Sequence, residues 1–154
     1  MASDIIVIER ELLKSKAFRS LSGTAKNVYF DFRMKCKVKN RKIKSTRKHE
    51  RIILNNGEIE YCYSEAEKKG IQRSTFMNCL DAIIENGFID VTHSGSGGKK
   101  GDKSLYAISE RWRAWKTDDF IKAFRPKDNR NGRGFRSGND HWKRKKFKHG
   151  CAKL

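Results

Sequence analysis

The fold is decided by SEAEKKGIQRSTFMNCLDAIIENGFIDVTHSGSGGKKGDKSLYAI, residues 64–108, which combine two helical patterns with two strand patterns. Ser64 and Glu67 have the S-x-x-E spacing of a capping box, in which the two side chains satisfy free N–H groups at a helix start. Gly70 follows two lysines and can take the positive φ that ends a helix. The sequence therefore predicts a short helix that begins at Ser64 and ends at Gly70.

A second helix is predicted to open at Gln72, after a tight turn. Its apolar residues recur at spacings of three and four, which is typical of a helix with one buried face. Gly87 can end it through a positive φ, so that Phe88 folds back on Ile83. The face expected to be buried consists of Phe76, Leu80, Ile83 and Ile84, and the face expected to point outward carries Arg73, Ser74, Met77, Asn78 and Asp81.

Two strand-like segments follow the second helix, at residues 88–94 and 104–108. Residues 95–103 between them are rich in glycine and lysine and cannot pack into a core. The pattern predicts a β-hairpin with a basic, flexible tip.

Two helices joined through a glycine turn and followed by such a hairpin resemble the winged helix-turn-helix family, over residues 20–112. In that family the second helix enters the major groove of DNA and the hairpin, or wing, lies along the DNA backbone. The usual order is helix, strand, helix, helix, strand, strand, and a helix capped by Ser22 and a strand over 58–63 supply the first two elements. The resemblance implies an α+β fold, a winged helix-turn-helix with a three-helix core, a small antiparallel sheet and a β-hairpin wing, plus a basic disordered C-terminal tail. The apolar face expected on the first helix is Ala25, Val28, Tyr29, Phe32 and Cys36.

The 154 residues can hold one modest domain, with about a third of the length left for tails. The last residues are mostly glycine, asparagine, arginine and lysine, and they cannot bury enough apolar surface to fold alone. We therefore divide the chain into an N-terminal arm at 1–20, a winged-helix domain at 21–125 with a basic insert at 38–51, and a basic flexible tail at 126–154.

The basic insert is either a loop or the outer part of a hairpin. The turn Asn55-Asn56-Gly57 favours a hairpin in which residues 52–54 return against 58–63. Beyond the wing, the tryptophans of 110–115 are expected to cap the core, and 118–124 is expected to form a last short helix capped by Thr117.

The formal net charge of +18, with a pI near 10.0, indicates a polyanionic partner. Nine basic residues against one acidic residue fall within 35–51, and eleven against two fall within 125–154. The candidate domain itself is therefore close to neutral, as expected if added charge supplies phosphate affinity to a pre-formed reader of DNA.

Base reading is assigned to the start of the second helix, where Arg73 suits a guanine edge and Asn78 an adenine edge. Helix capping by Ser74 and Thr75, and ordinary solvent exposure of Arg73 and Asn78, are the alternatives. The expected base readers are Gln72, Arg73, Ser74, Thr75 and Asn78. The expected phosphate binders are Lys99, Lys100 and Lys103 in the wing and Lys42, Lys44, Arg47 and Lys48 in the insert, where a solvated surface is the alternative. The tail contacts are expected from Arg133, Arg136, Lys143, Arg144, Lys145 and Lys146.

Other site types find little support in the sequence. The cysteines show no C-x-x-C pairing, and the glycine-rich loop does not match G-x-x-x-x-G-K-[ST], so neither a metal nor a cofactor is expected. No acid, base and nucleophile set is recognisable, so we do not expect an enzyme. The early apolar run, 5–8, is too short to span a bilayer and no signal peptide is visible, which favours a reduced cytoplasm and no membrane partner.

The leading hypothesis is a sequence-specific protein that binds double-stranded DNA, a transcriptional regulator or replication-initiation factor of a prokaryote, phage or plasmid, associated with the nucleoid in the cytoplasm. Two hypotheses stay open beside it. One is an RNA-binding or RNP-assembly protein that holds RNA or single strands through its tail, and the other is a protein-interaction module. A homodimer also stays open.

Overall fold

The computed structural model describes residues 5–42, 49–95 and 102–125 and shows an α+β fold, as the sequence predicts. Its α-helices are α1 (Arg10–Lys14), α2 (Lys16–Arg19), α3 (Gly23–Met34), α4 (Tyr63–Lys68) and α5 (Arg73–Glu85), followed by a 3-10 helix at Arg111–Ala114. Its strands are β1 (Val38–Lys42), β2 (His49–Ile53), β3 (Ile59–Glu60), β4 (Ile89–His93) and β5 (Leu105–Ile108).

The core lies between α3 and α5, whose apolar faces are the ones that the sequence predicts. The helix α3 begins after Ser22, whose Oγ accepts a hydrogen bond from the Ala25 N–H at 3.2 Å. This contact confirms the predicted cap. Cys36 lies beyond the end of α3, half-buried, and its Sγ donates to the Phe32 carbonyl. The fully buried side chains of the two faces are Val28, Tyr29, Phe32, Phe76, Leu80, Ile83 and Ile84.

The strands form two small antiparallel sheets. The strands β1 and β2 pair with each other, and the second sheet has the order β3-β5-β4. Pairing of β4 with β5 confirms the strands of the predicted hairpin. Residues 96–101, which include most of its predicted tip, lie outside the described part of the chain.

The predicted pairing of residues 52–54 with 58–63 is wrong. The strand β2 pairs with β1, and β3 is only two residues long and pairs with β5. Two asparagines explain the difference. The Asn55 side chain bonds the backbone of Lys35 and Lys37 beside the first sheet. The Asn56 side chain bonds the backbone N–H and C=O of Ile108 in the second. The turn therefore joins two sheets instead of closing one hairpin.

The predicted capping box at Ser64 is also wrong, because α4 begins one residue earlier, at Tyr63, with Cys62 in the N-cap position and no side-chain cap. The Cys62 carbonyl already accepts the N–H groups of residues 65 and 66, so the helical ladder starts there. Both predicted glycine stops are confirmed: Gly70 has φ +80° and Gly87 has φ +86°.

After β5 the chain packs its tryptophan side chains onto the core, as predicted. Trp112 is buried and stacks on Phe88, with ring centroids 6.1 Å apart. The helix predicted at 118–124 does not form. Thr117 Oγ1 donates back to the Ala114 carbonyl instead of capping the following N–H groups, and the preceding Lys116 has a positive φ.

The N-terminal residues join the same core. Residues 5–9 are not in a strand or helix, but Leu12 of α1 and Ala17 and Phe18 of α2 are buried. Arg113 pairs with Glu9 and with Glu11, and so fastens this segment to the 3-10 helix. Within the described ranges, no helix is long and apolar enough to cross a membrane.

Candidate nucleic-acid interface

The first two turns of α5 present the predicted base readers. Gln72, the N-cap residue, and Arg73 and Ser74, the first residues of the helix, are exposed. Asn78, one turn further along, is exposed as well, and Thr75 is half-buried. No side-chain cap forms at this helix start, so the hydroxyls of Ser74 and Thr75 do not serve as its N-cap.

Arg73 lies on an aromatic ring from the preceding helix. Its guanidinium carbon is 5.0 Å from the centroid of the Tyr63 ring, within the range of a cation–π contact. The Tyr63 ring in turn packs edge-on against buried Phe76, with centroids 5.3 Å apart. Tyr63 therefore orients the Arg73 side chain while leaving the residue exposed.

A second arginine, Arg125, meets the same tyrosine from the end of the described chain. Its Nη1 donates to the Tyr63 hydroxyl at 2.8 Å, and its Nε and Nη2 donate to the two carboxylate oxygens of Asp81 at 2.9 and 3.2 Å. Burial disfavours the charged form of Arg125, but Tyr63 and Asp81 outweigh it and raise the pKa of the guanidinium.

Sequence reasoning did not assign roles to Tyr63 and Arg125. The sequence pattern predicts a strand at Tyr63, and it gives Arg125 no role beyond its share of the basic C-terminal charge. Arg125 lies 44 positions after Asp81, so no local sequence pattern predicts their contact.

The hairpin of β4 and β5 has its own ion pairs. Lys103 Nζ lies 2.8 Å from Glu60 Oε2 on β3, and that hydrogen bond raises the pKa of the Lys103 amino group, which stays charged. His93 and Asp102 join the two sides of the hairpin through a contact of 2.7 Å. The other predicted wing lysines, Lys99 and Lys100, lie outside the described residues.

The basic insert contains the antiparallel hairpin of β1 and β2. Every residue of β1 is exposed, including the predicted phosphate binder Lys42. Arg41 is paired in register with Glu50, and Asn40 with Arg51. The remaining predicted insert and tail residues fall outside the described ranges: Lys44, Arg47, Lys48, Arg133, Arg136, Lys143, Arg144, Lys145 and Lys146.

The described residues give little support for a metal site, a substrate pocket or a reactive cysteine. Among the described residues, no group of three or more His, Cys, Asp or Glu side chains could hold a metal ion. A cavity of about 30 Å³ beside Tyr29, Arg33 and Trp112 has room for water but not for a substrate. Burial raises the pKa of the Cys36 and Cys79 thiols, which disfavours the reactive thiolate.

Comparison with known proteins assigns the chain to no family: no protein-family model, no curated protein and no solved structure matches it. Any function proposed for the chain therefore has to be argued from its own residues.

Proposed function

We propose that this protein is a winged helix-turn-helix protein that binds double-stranded DNA in a sequence-specific manner. Two features of the topology support the winged-helix assignment. The elements α3, β3, α4, α5, β4 and β5 follow one another in the order expected for the family, and the sheet order β3-β5-β4 places the strand between α3 and α4 beside the hairpin. The hairpin of β1 and β2 is an insertion between α3 and β3.

The observation that carries the proposal is the character of the exposed α5 face. Gln72, Arg73, Ser74 and Asn78 offer hydrogen-bond donors and acceptors on the first two turns, and none of them is acidic. The acid on the next turn, Asp81, is paired with Arg125. A DNA groove lined by phosphates accepts such a face without repulsion from an unpaired carboxylate.

Each side chain then has a role set by its chemistry. Arg73 makes the bidentate contact with a guanine edge, and Asn78 with an adenine edge. Ser74, Thr75 and Gln72 supplement these contacts at the helix start. Lys42 of the insert binds phosphate, as does Lys103 of the wing once phosphate replaces Glu60 as its partner. The basic tail adds affinity without sequence discrimination.

In a cell such a protein acts as a transcriptional regulator or replication-initiation factor of a prokaryote, phage or plasmid. It works in the cytoplasm on the nucleoid. The target site is identified by selecting bound duplexes from a random pool. A palindromic selected sequence indicates a homodimer.

The test measures the affinity of the full chain for the selected duplex. Arg73→Ala and Asn78→Ala should each weaken that duplex by about tenfold to a hundredfold, the value of a bidentate base contact, and relax the preference at one base pair. Arg19→Ala is the matched control. It removes the same charge from an exposed residue at the end of α2, and the next residue, Ser20, is hydrogen-bonded to Asn86 just beyond the opposite end of α5.

Two results would contradict the proposal. One is an equal loss of affinity for the selected duplex in Arg73→Ala and in Arg19→Ala. The other is binding that disappears on deletion of 126–154 alone while single-stranded RNA competes best, which would favour the RNA-binding hypothesis. With both basic segments engaged, log K should fall with log salt at a slope on the order of −6 or steeper.

A further inference from the structure

Arg125 lies at the edge of the α5 face, where three hydrogen bonds to described residues hold its guanidinium. Its guanidinium meets both oxygens of the Asp81 carboxylate and the hydroxyl of Tyr63, and its side chain is 25% exposed. An arginine held in this way has already lost much of its side-chain freedom, so a further partner can bind it at a lower entropic cost.

The guanidinium also keeps donors in reserve. An arginine side chain carries five N–H groups. Contacts within the described part of the chain engage three of the five in Arg125, one on Nε and one on each Nη. The other two N–H groups, one on each Nη, have no partner among the described residues, and a quarter of the side chain is exposed.

The position of this arginine relative to the base readers suggests the acceptor. Arg73, Met77 and Asp81 follow one another at spacings of four, so they share one side of α5. Eight residues of helix place Asp81 about 12 Å from Arg73 along the axis. The major groove is also about 12 Å wide. A helix with Arg73 at a base edge therefore brings Arg125, which is bound to Asp81, close to the phosphates at the rim of the groove.

We propose that Arg125 is a phosphate-binding residue of the DNA interface, positioned by Asp81 and Tyr63. This inference rests on the proposed function. Residues 126–154, which follow Arg125 directly in the sequence, contain ten basic and two acidic residues. Both Arg125 and the tail then contact the same polyanion.

The experiment measures the affinity of the full chain for the selected duplex over a range of salt concentrations. Arg125→Gln should reduce affinity about tenfold and make the slope of log K against log salt shallower by about 0.9, the value of one phosphate contact. Lys122→Gln is the matched control in the same segment. Lys122 is exposed and paired with Glu85 at 3.8 Å, and its loss should leave the slope within about 0.3 of wild type.

A second variant separates phosphate binding from simple neutralisation of Asp81. If Arg125 only cancels that carboxylate, Asp81→Asn combined with Arg125→Gln will restore wild-type affinity, and the inference is wrong. If Arg125 binds phosphate, the double variant stays weak. Arg125→Lys keeps the positive charge but not the paired contact with both Asp81 oxygens, and it should retain the wild-type slope because one phosphate contact is still made.

The remaining outcomes also decide. An unchanged slope for Arg125→Gln overturns the role of Arg125 even where Arg73→Ala relaxes the sequence preference, and the proposed function then stands alone. If the wild-type chain enriches no duplex from the pool, the proposed function and this inference both fall.

Discussion

Replacing the glycine after α5 with alanine tests how closely the 3-10 helix approaches the end of α5. Gly87 has φ +86°, where an L side chain costs about 1–2 kcal/mol. A Cβ at this position would also lie 2.7 Å from the backbone nitrogen of Trp112 and 2.8 Å from Cβ of Arg111. The Trp112 N–H donates to the Gly87 carbonyl at 3.1 Å, so the two backbones cannot separate without losing a hydrogen bond.

Gly70 is the matched control because it ends α4 with φ +80° but has nothing within 4 Å of an added Cβ. We expect Gly70→Ala to lower the free energy of unfolding by about 1–2 kcal/mol, from the backbone alone. Gly87→Ala should lower it by about 2–5 kcal/mol, since overpacking adds about 1–3 kcal/mol.

Urea denaturation followed by tryptophan fluorescence measures both values, because Trp112 stacks on Phe88 in the folded state. Equal losses for the two variants, within about 0.5 kcal/mol, would refute the close approach of Arg111 and Trp112 to the end of α5.

Two further predictions concern stability. Burial and the hydrogen bond to Asp31 raise the pKa of Tyr61, and burial raises that of Tyr29 to about 12. Their contribution to stability is therefore complete below pH 10 and is lost as the pH rises above it, by about 1.4 kcal/mol per pH unit for each tyrosine. In urea titrations at increasing pH, Tyr61→Phe should lose stability less steeply than the wild type. An identical slope in the variant would contradict the assignment. Arg113→Ala should cost about 1 kcal/mol at low salt and less in 1 M salt, because its carboxylate partners are exposed; a loss that does not depend on salt would show that the pairs are not its cause.

Local patterns were sufficient for the helices and their ends. The spacing of Phe76, Leu80 and Ile83 indicates which face of α5 is buried, and Gly70 and Gly87 each take the positive φ that ends a helix. The Ser22 cap is likewise set by residues three positions apart. Such signals depend on neighbours along the chain, and therefore they can be found in the sequence.

The features that the sequence misplaced depend on distant partners. Asn56 joins β5 across 52 positions, so the turn does not close the hairpin that its Asn-Gly composition favours. Residues 118–124 have a helical composition but form no helix. In this segment and just after it, Lys122 and Arg125 form ion pairs with α5. The same distinction holds within the candidate site. Helical spacing predicts that Arg73 and Asn78 are exposed on α5, whereas no local pattern predicts the contacts of Tyr63 and Arg125.

In the proposed function, the exposed side of α5 contacts base edges, with Arg73 on guanine. The most direct measurement replaces each guanine of the selected duplex in turn by 7-deazaguanine, which lacks the N7 acceptor, and compares binding by the wild-type chain and by Arg73→Ala. We expect one guanine whose replacement weakens wild-type binding about tenfold and leaves Arg73→Ala binding unchanged. Equal sensitivity of the two proteins at every guanine would contradict it.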